Sequence, residues 1–104
     1  MQASNQKGTV SSFFTYWDGP NWTHDEWNEI DVEIVPSKKD TPFSFMTVTK
    51  EKTYDQEYAF NWNPVDGWNT YVVEWKPDSV SWFINGIKVK QIADSPTAHF
   101  LNKP

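Results

Sequence analysis

The chain has no cysteine and only two histidines, His24 and His99, among its 104 residues. A thiol nucleophile, a disulfide framework and a Cys/His zinc site are therefore excluded, and a lone histidine is more often a surface or packing residue than a ligand. The lack of cysteine leaves the redox compartment open, because a secreted protein of adequate size needs no disulfide. Glycine is scarce at four residues, and no glycine-rich loop of the kind that cradles phosphate occurs. No apolar run is long enough to span a bilayer, and the polar start Met1-Gln2-Ala3-Ser4-Asn5 does not read as a signal peptide. Positive charge is short too. Nine Lys and Arg against fourteen Asp and Glu give a formal net charge of −5, which argues against nucleic acid or an anionic membrane surface as partner.

Aromatic residues are abundant: they make up 17% of the chain, with seven tryptophans. No helical periodicity runs far enough to compete with alternation, and short alternating segments separated by turn residues point to an all-β, antiparallel β-sandwich. The predicted strands cover 9–17, 28–35, 43–49, 57–61, 69–75, 80–84 and 87–92. Breaks fall at Asp18-Gly19-Pro20, Pro36 to Pro42, Asn63 to Gly67 and Lys76-Pro77-Asp78. Asn85-Gly86 is a dipeptide suited to the positive φ angles of a type I′ hairpin. Folding about it sets Ile84 opposite Ile87 and Trp82 opposite Val89, with Ser81, Phe83, Lys88 and Lys90 on the other face. Trp82 is then a core residue, and Trp75, sharing parity with Tyr71 and Val73, is expected to be structural as well. The mixed run Lys50-Glu51-Lys52 reads as a solvated loop.

The segment Trp27-Asn28-Glu29-Ile30-Asp31-Val32-Glu33 is the chemically dense part of the chain. Strand side chains alternate, so Trp27, Glu29, Asp31 and Glu33 share one face while Ile30, Val32 and Ile34 share the other. The Cα atoms of Glu29 and Glu33 should lie about 13 Å apart, and each side chain reaches roughly 4 Å. Leaning together, the two carboxyl groups approach to about 5 to 6 Å, the separation at which an acid pair cleaves a glycosidic bond with retention. Asp31 lies between them, so ionising all three is unfavourable and at least one pKa should rise, as a general acid working near neutrality requires. A solvated face of an amphipathic strand is the plain alternative. Against it, like charges in a row repel, and Asp and Glu are poor strand formers.

Glu29-Ile30-Asp31-Val32-Glu33 resembles the E-[IV]-D-[IV]-E signature of glycoside hydrolase family 16, in the form found in its licheninase-like branch. Gly8 to Tyr16 resembles the family's G-T-V-S-S-x-F-x-Y strand. Pro42-Phe43-Ser44, Trp68 to Pro77 and Val80 to Gly86 resemble further family strands, so nearly the whole chain is covered. The resemblance implies a jelly-roll, concanavalin A-like sandwich. It also implies Glu29 as nucleophile, Glu33 as acid/base and Asp31 as the residue that tunes the pair. Phe14, Tyr16 and Trp27 match positions lining the sugar cleft, where flat rings bury the apolar face of a pyranose; ordinary core packing is the alternative for Phe14 and Tyr16. Two positions depart from the family pattern. Met46 stands where an Asn usually bonds the sugar, and Ile34-Val35-Pro36-Ser37 replaces the Gly that commonly follows the acidic strand.

The activity implied is endo-β-glucanase hydrolysis of a neutral β-glucan, mixed-linkage β-1,3-1,4-glucan above others, by a retaining double displacement without metal or other cofactor. A polysaccharide is the expected partner; the acidic balance disfavours a sulfated one. A transglycosylase of the same family and an inactive, lectin-like binding sandwich are the alternatives, and an extracellular location suits a polysaccharide-degrading enzyme. Such sandwiches occupy roughly 200 to 250 residues, so residues 1–104 are expected to be an internal part of one catalytic domain, with exposed edges and marginal stability in isolation.

Overall fold

The computed structural model describes residues 1–21, 27–35 and 62–93 in full, and the strands at 43–49 and 53–58 through their backbone. Seven strands make up the regular structure of these residues, and no helix occurs among them: β1 Ser11–Trp17, β2 Asn28–Ile34, β3 Phe43–Thr49, β4 Thr53–Tyr58, β5 Tyr71–Lys76, β6 Ser79–Ile84 and β7 Ile87–Ala93. They form two antiparallel sheets, one ordered β1-β2-β3-β4 and the other β5-β6-β7. Within each sheet, strands adjacent in sequence pair with each other, the usual relation of consecutive strands.

The two sheets meet through β2 and β6. Ile30, Val32 and Ile34 on one face of β2 are buried together with Val80, Trp82, Ile84, Ile92 and Ala3. Each such aliphatic side chain contributes about 1.5 to 3 kcal/mol through burial. Trp82 is too polar at its indole nitrogen to sit in that core unpaired, and its Nε1–H donates to the backbone carbonyl of Asp31 at 3.0 Å. The core of the second sheet is thereby bonded directly to the strand that carries the acids.

The hairpin between β6 and β7 forms at Asn85 and Gly86, with φ angles of 49° and 84°. That pair of left-handed residues is what a type I′ turn needs. The turn is tied to the start of β5: Asn85 N–H donates to the Thr70 carbonyl at 2.8 Å and Asn85 Oδ1 accepts from Thr70 N–H at 2.9 Å.

Beyond this turn the pairing departs from simple alternation. Ile84 faces Ile87 and Phe83 faces Lys88, but Trp82 faces Lys90, not Val89, across a register shift. Val89 is the extra residue of a β-bulge. The bulge reconciles two demands of the sequence, since Val89 and Ile92 have opposite parity in a regular strand yet both pack on the core. Without the shift Gln91 would take the position opposite Val80 that Ile92 occupies.

Two other expectations change. The fourth strand runs over Thr53–Tyr58 instead of 57–61. Its polar sequence gives no apolar alternation, and pairing with β3 from Val48↔Thr53 to Phe43↔Tyr58 decides its limits. Trp75 does pair with Val80, yet it remains 37% exposed, because β5 is an edge strand of its sheet among the described strands. The Pro36 to Pro42 break, the run Lys50-Glu51-Lys52, His24, His99 and the side chain of Met46 lie outside the described residues.

Candidate active site

The register of β1 on β2 builds the candidate site. Tyr16 pairs with Glu29, Phe14 with Asp31 and Ser12 with Glu33, and directly opposed residues of an antiparallel pair share a face. The same face continues in register to β3, where Val48, Met46 and Ser44 are the partners of Glu29, Asp31 and Glu33. Phe14 and Tyr16 are exposed, at 61% and 39%, so the core-packing alternative does not describe them. The residues of β2 that do fill the core are those of the opposite parity, Ile30, Val32 and Ile34. The strand is thus two-sided, apolar toward the second sheet and acidic away from it.

Each acid has a distinct environment. Trp27, just ahead of β2, donates its Nε1–H to Oε2 of Glu29 at 2.8 Å. A hydrogen bond to an ionised acceptor is stronger than a neutral one, and it holds the carboxylate in a single orientation while leaving Oε1 outside the indole's grasp. Glu33 is half-buried two residues beyond Asp31. Asp31 itself is buried, and its Oδ2 has no hydrogen-bond partner among the described residues. Desolvation pushes its carboxyl up, the charges of Glu29 and Glu33 push in the same direction, and a hydrogen bond with Glu29 adds to both, bringing it from 3.8 to about 7. Near neutrality a large fraction of Asp31 is the neutral acid, able to donate its proton toward Glu29.

The same face holds a residue that the alternation of the acidic strand does not reveal. Asp18, immediately after β1, is buried at 5% exposure, and its charge acts on the Tyr16 hydroxyl. In sequence it reads as part of the Asp18-Gly19-Pro20 turn. Its parity with Phe14 and Tyr16 was the available signal, because β1 carries that face directly into the turn. Tyr16, Trp17, Asp18, Gly19 and Pro20 line a cavity of about 170 Å³ at this end of the strand. The Tyr16 hydroxyl is raised above the ordinary phenol range, first by desolvation, then by Asp18 and by the charge of Glu29.

The site therefore brings Trp27, Glu29, Asp31, Glu33, Phe14 and Tyr16 onto one sheet face. No group of three or more acidic, histidine or cysteine side chains with metal-binding geometry occurs among the described residues. The arrangement offers acid chemistry: a carboxylate oriented by an indole, a carboxyl with a raised pKa beside it and a further carboxyl group along the strand. Exposed aromatic rings stand alongside.

Comparison with known proteins finds clear relatives. The sequence profile described as "Glycosyl hydrolases family 16" matches residues 1–104. A "Beta-glucanase" of Brevibacillus brevis is 38% identical over 91 residues, covering 83% of this chain and 33% of the relative. A "Beta-glucanase" of Acetivibrio thermocellus is 36% identical over 86% of this chain and 26% of its own length. Among solved structures, "Bacillus licheniformis beta-glucanase" superposes with a TM-score of 0.68 at 30% identity, covering 81% of this chain and 38% of that one. A second, "The crystal structure of native glycosidic hydrolase", gives a TM-score of 0.73 at 31% identity over 88% of this chain and 41% of that one. The chain thus spans between about a quarter and two fifths of the length of these relatives.

Proposed function

The chain belongs to glycosyl hydrolases family 16, and from that premise we propose that the protein carrying it is an endo-acting β-glucanase that cleaves by a retaining double displacement. The observation that carries the reading is the single strand face on which Glu29, Asp31 and Glu33 alternate, with Glu29 fixed by Trp27 and Asp31 held near neutral.

In this reading Glu29 attacks the anomeric carbon while Glu33, entering the cycle protonated, gives its proton to the departing glycosidic oxygen. A glycosyl ester on Glu29 results. Glu33, now a carboxylate, takes a proton from water, the water oxygen bonds to the anomeric carbon, and Glu29 leaves as a carboxylate. The Trp27 indole donates to Glu29 and the Asp31 carboxyl lies beside it, so both stabilise the charge that returns to Glu29 as it departs in the second step. Phe14, Tyr16 and Trp27 supply the flat surfaces on which pyranose rings stack.

A neutral glucan suits a chain with a formal net charge of −5. Mixed-linkage β-1,3-1,4-glucan is the substrate of choice, supported by similarity to a solved "beta-1,3-1,4-glucanase (lichenase)" from a mouse hindgut metagenome, at 29% identity with a TM-score of 0.66. The test is hydrolysis of mixed-linkage glucan by the full-length protein and its Glu29→Gln variant, with chromatography of the products. Loss of turnover in Glu29→Gln supports the assignment, whereas turnover at the wild-type rate removes Glu29 from the reaction. Products longer than the substrate would identify transfer to sugar in place of water.

A further inference from the structure

We infer that the outward face of the second sheet carries a binding site for a neutral polysaccharide chain, centred on the Trp68 ring and separate from the acidic face of β2. The site holds the polymer that the proposed glucanase cleaves, so the inference rests on that reading for the identity of the sugar and on geometry for the rest.

Trp68 is 79% exposed, more than any other large apolar side chain among the described residues, although tryptophan is well buried on average. Exposure alternates from Trp68 to Glu74 and Tyr71 and Val73 turn to the core, so Trp68, Thr70, Val72 and Glu74 form one outward row. Val72 pairs with Phe83, whose parity is opposite to that of the core residues Trp82 and Ile84. Trp68, Val72 and Phe83 thus make an apolar stripe, and the Cα atoms of Trp68 and Val72 span about 13 Å of it. The acids of β2 point away from the second sheet, since Ile30, Val32 and Ile34 are the residues that pack on it. Stripe and acids therefore lie on opposite surfaces of the sandwich.

The ring stands on backbone that is already fixed. Asn69 exchanges both of its backbone hydrogen bonds with Met1, at 2.8 and 3.0 Å. Its Nδ2 donates to the Pro64 carbonyl at 3.1 Å, and its Oδ1 accepts from Asn85 Nδ2 at 3.1 Å. A platform ordered before the ligand arrives loses little entropy on binding. The surrounding charges select the occupant. Lys76 pairs with Glu74 at 3.2 Å, and Lys88 bonds Gln91 at 3.4 Å while its ammonium lies 5.6 Å from the centre of the Phe83 ring. The core of a protein interface is depleted of such charges. A glycan chain tolerates them, because it lays an apolar pyranose face on a ring and keeps its hydroxyls hydrated at the edges. Charges of both signs favour a neutral chain. Held there, one stretch of a long polymer raises the effective concentration of the rest at the acids; a short oligosaccharide cannot span both surfaces and gains nothing.

Affinity electrophoresis of the full-length protein tests this, in gels with and without mixed-linkage β-1,3-1,4-glucan, on Glu29→Gln alone and combined with Trp68→Ala. Trp68→Ala is expected to weaken retardation by the glucan about twofold to tenfold, the range of one aromatic stacking contact, and Trp68→Phe should keep most of it. With Glu29 intact, Trp68→Ala should lower kcat/KM on the polymer by a similar factor and leave it unchanged on a short chromogenic oligosaccharide. Retardation that is equal with and without the Trp68 ring, no retardation of either protein, or an equal loss on polymer and oligosaccharide overturns the inference. Should Trp68→Ala fail to fold, Val72→Lys decides: it puts a charge into the stripe at a position 44% exposed, and unchanged retardation there overturns the inference. Retardation needs no turnover, so the rate of Glu29→Gln reports on the glucanase reading separately.

Discussion

Replacing Asp31 by asparagine should make the protein more stable at neutral and alkaline pH while it weakens catalysis. Burial, then the charges of Glu29 and Glu33 and a hydrogen bond with Glu29, raise the Asp31 carboxyl from 3.8 to about 7. Between those values the folded protein holds a proton at this position that the unfolded chain has released. The unfolded state binds fewer protons there, so stability falls as pH rises. The contribution is fully present below about pH 4 and is gone above about pH 7. At about 1.4 kcal/mol per pH unit, the interval sets a ceiling of about 4 kcal/mol. Glu29 and Glu33 share the same field and relax when Asp31 changes, so roughly half of it, ~2 kcal/mol, should be recovered by substitution.

Asparagine has nearly the shape of aspartic acid and cannot ionise. Urea unfolding of wild type and Asp31→Asn across about pH 4 to 8 should therefore give curves that coincide at the acid end and diverge by ~2 kcal/mol at the alkaline end. Hydrolysis should fall at least about tenfold in the same variant, because the amide N–H that replaces the acid O–H beside Glu29 cannot be given up as a proton. Curves that stay parallel over the whole range would refute the argument, since they would mean that Asp31 ionises alike in folded and unfolded chains. A gain in stability with activity retained would instead separate Asp31 from the reaction.

Other substitutions read single interactions. Trp27→Phe keeps a ring but removes the Nε1–H bonded to Glu29 Oε2 at 2.8 Å; kcat/KM should drop about tenfold to a hundredfold, the range for a bond to a charged group, and steady-state kinetics showing no drop would discount that bond. Trp82→Phe removes the donor to the Asp31 carbonyl and leaves a cavity in the core, which should cost ~2 to 4 kcal/mol in urea melts. Gly86→Ala meets no atom within 4 Å and suffers only from the φ of +84°, so a loss of about 1 kcal/mol is expected and an unchanged midpoint would contradict the type I′ turn.

Most of the site was legible because it depends on parity alone. Alternation assigns Trp27, Glu29, Asp31 and Glu33 to one face of β2 before any neighbour is known, and the resemblance of Gly8 to Tyr16 supplied Phe14 and Tyr16 as well. The register then sets both beside the acids, at Asp31 and Glu29. What stayed hidden depends on three-dimensional company. The bulge at Val89 lets Ile92 as well as Ile84 and Trp82 pack on the core they share with β2, a layer that a hairpin read in isolation does not contain. The limits of β4 come from pairing with β3, since its own residues Thr53 to Tyr58 lack an apolar stripe. Asp18 was hidden for a different reason: turn chemistry explained it well enough that its burial went unsuspected.

The bond from Trp82 to the Asp31 carbonyl connects these two kinds of information. Desolvation is the first cause of the raised Asp31 pKa, and water exclusion at Asp31 requires β2 to sit inside the sheet with its neighbours on both sides and a packed layer behind it. Ile30 and Val32 flank Asp31 in sequence and press into that layer, while Trp82 reaches from the opposite sheet to the backbone between them. Loosening the core should therefore let water reach Asp31 and lower its pKa before the fold is lost. In Trp82→Phe the pH dependence of stability should flatten along with the fall in stability itself. A variant that loses stability yet keeps the full slope between about pH 4 and 7 would show that the acid is desolvated by its own strand neighbours and not by the core behind it.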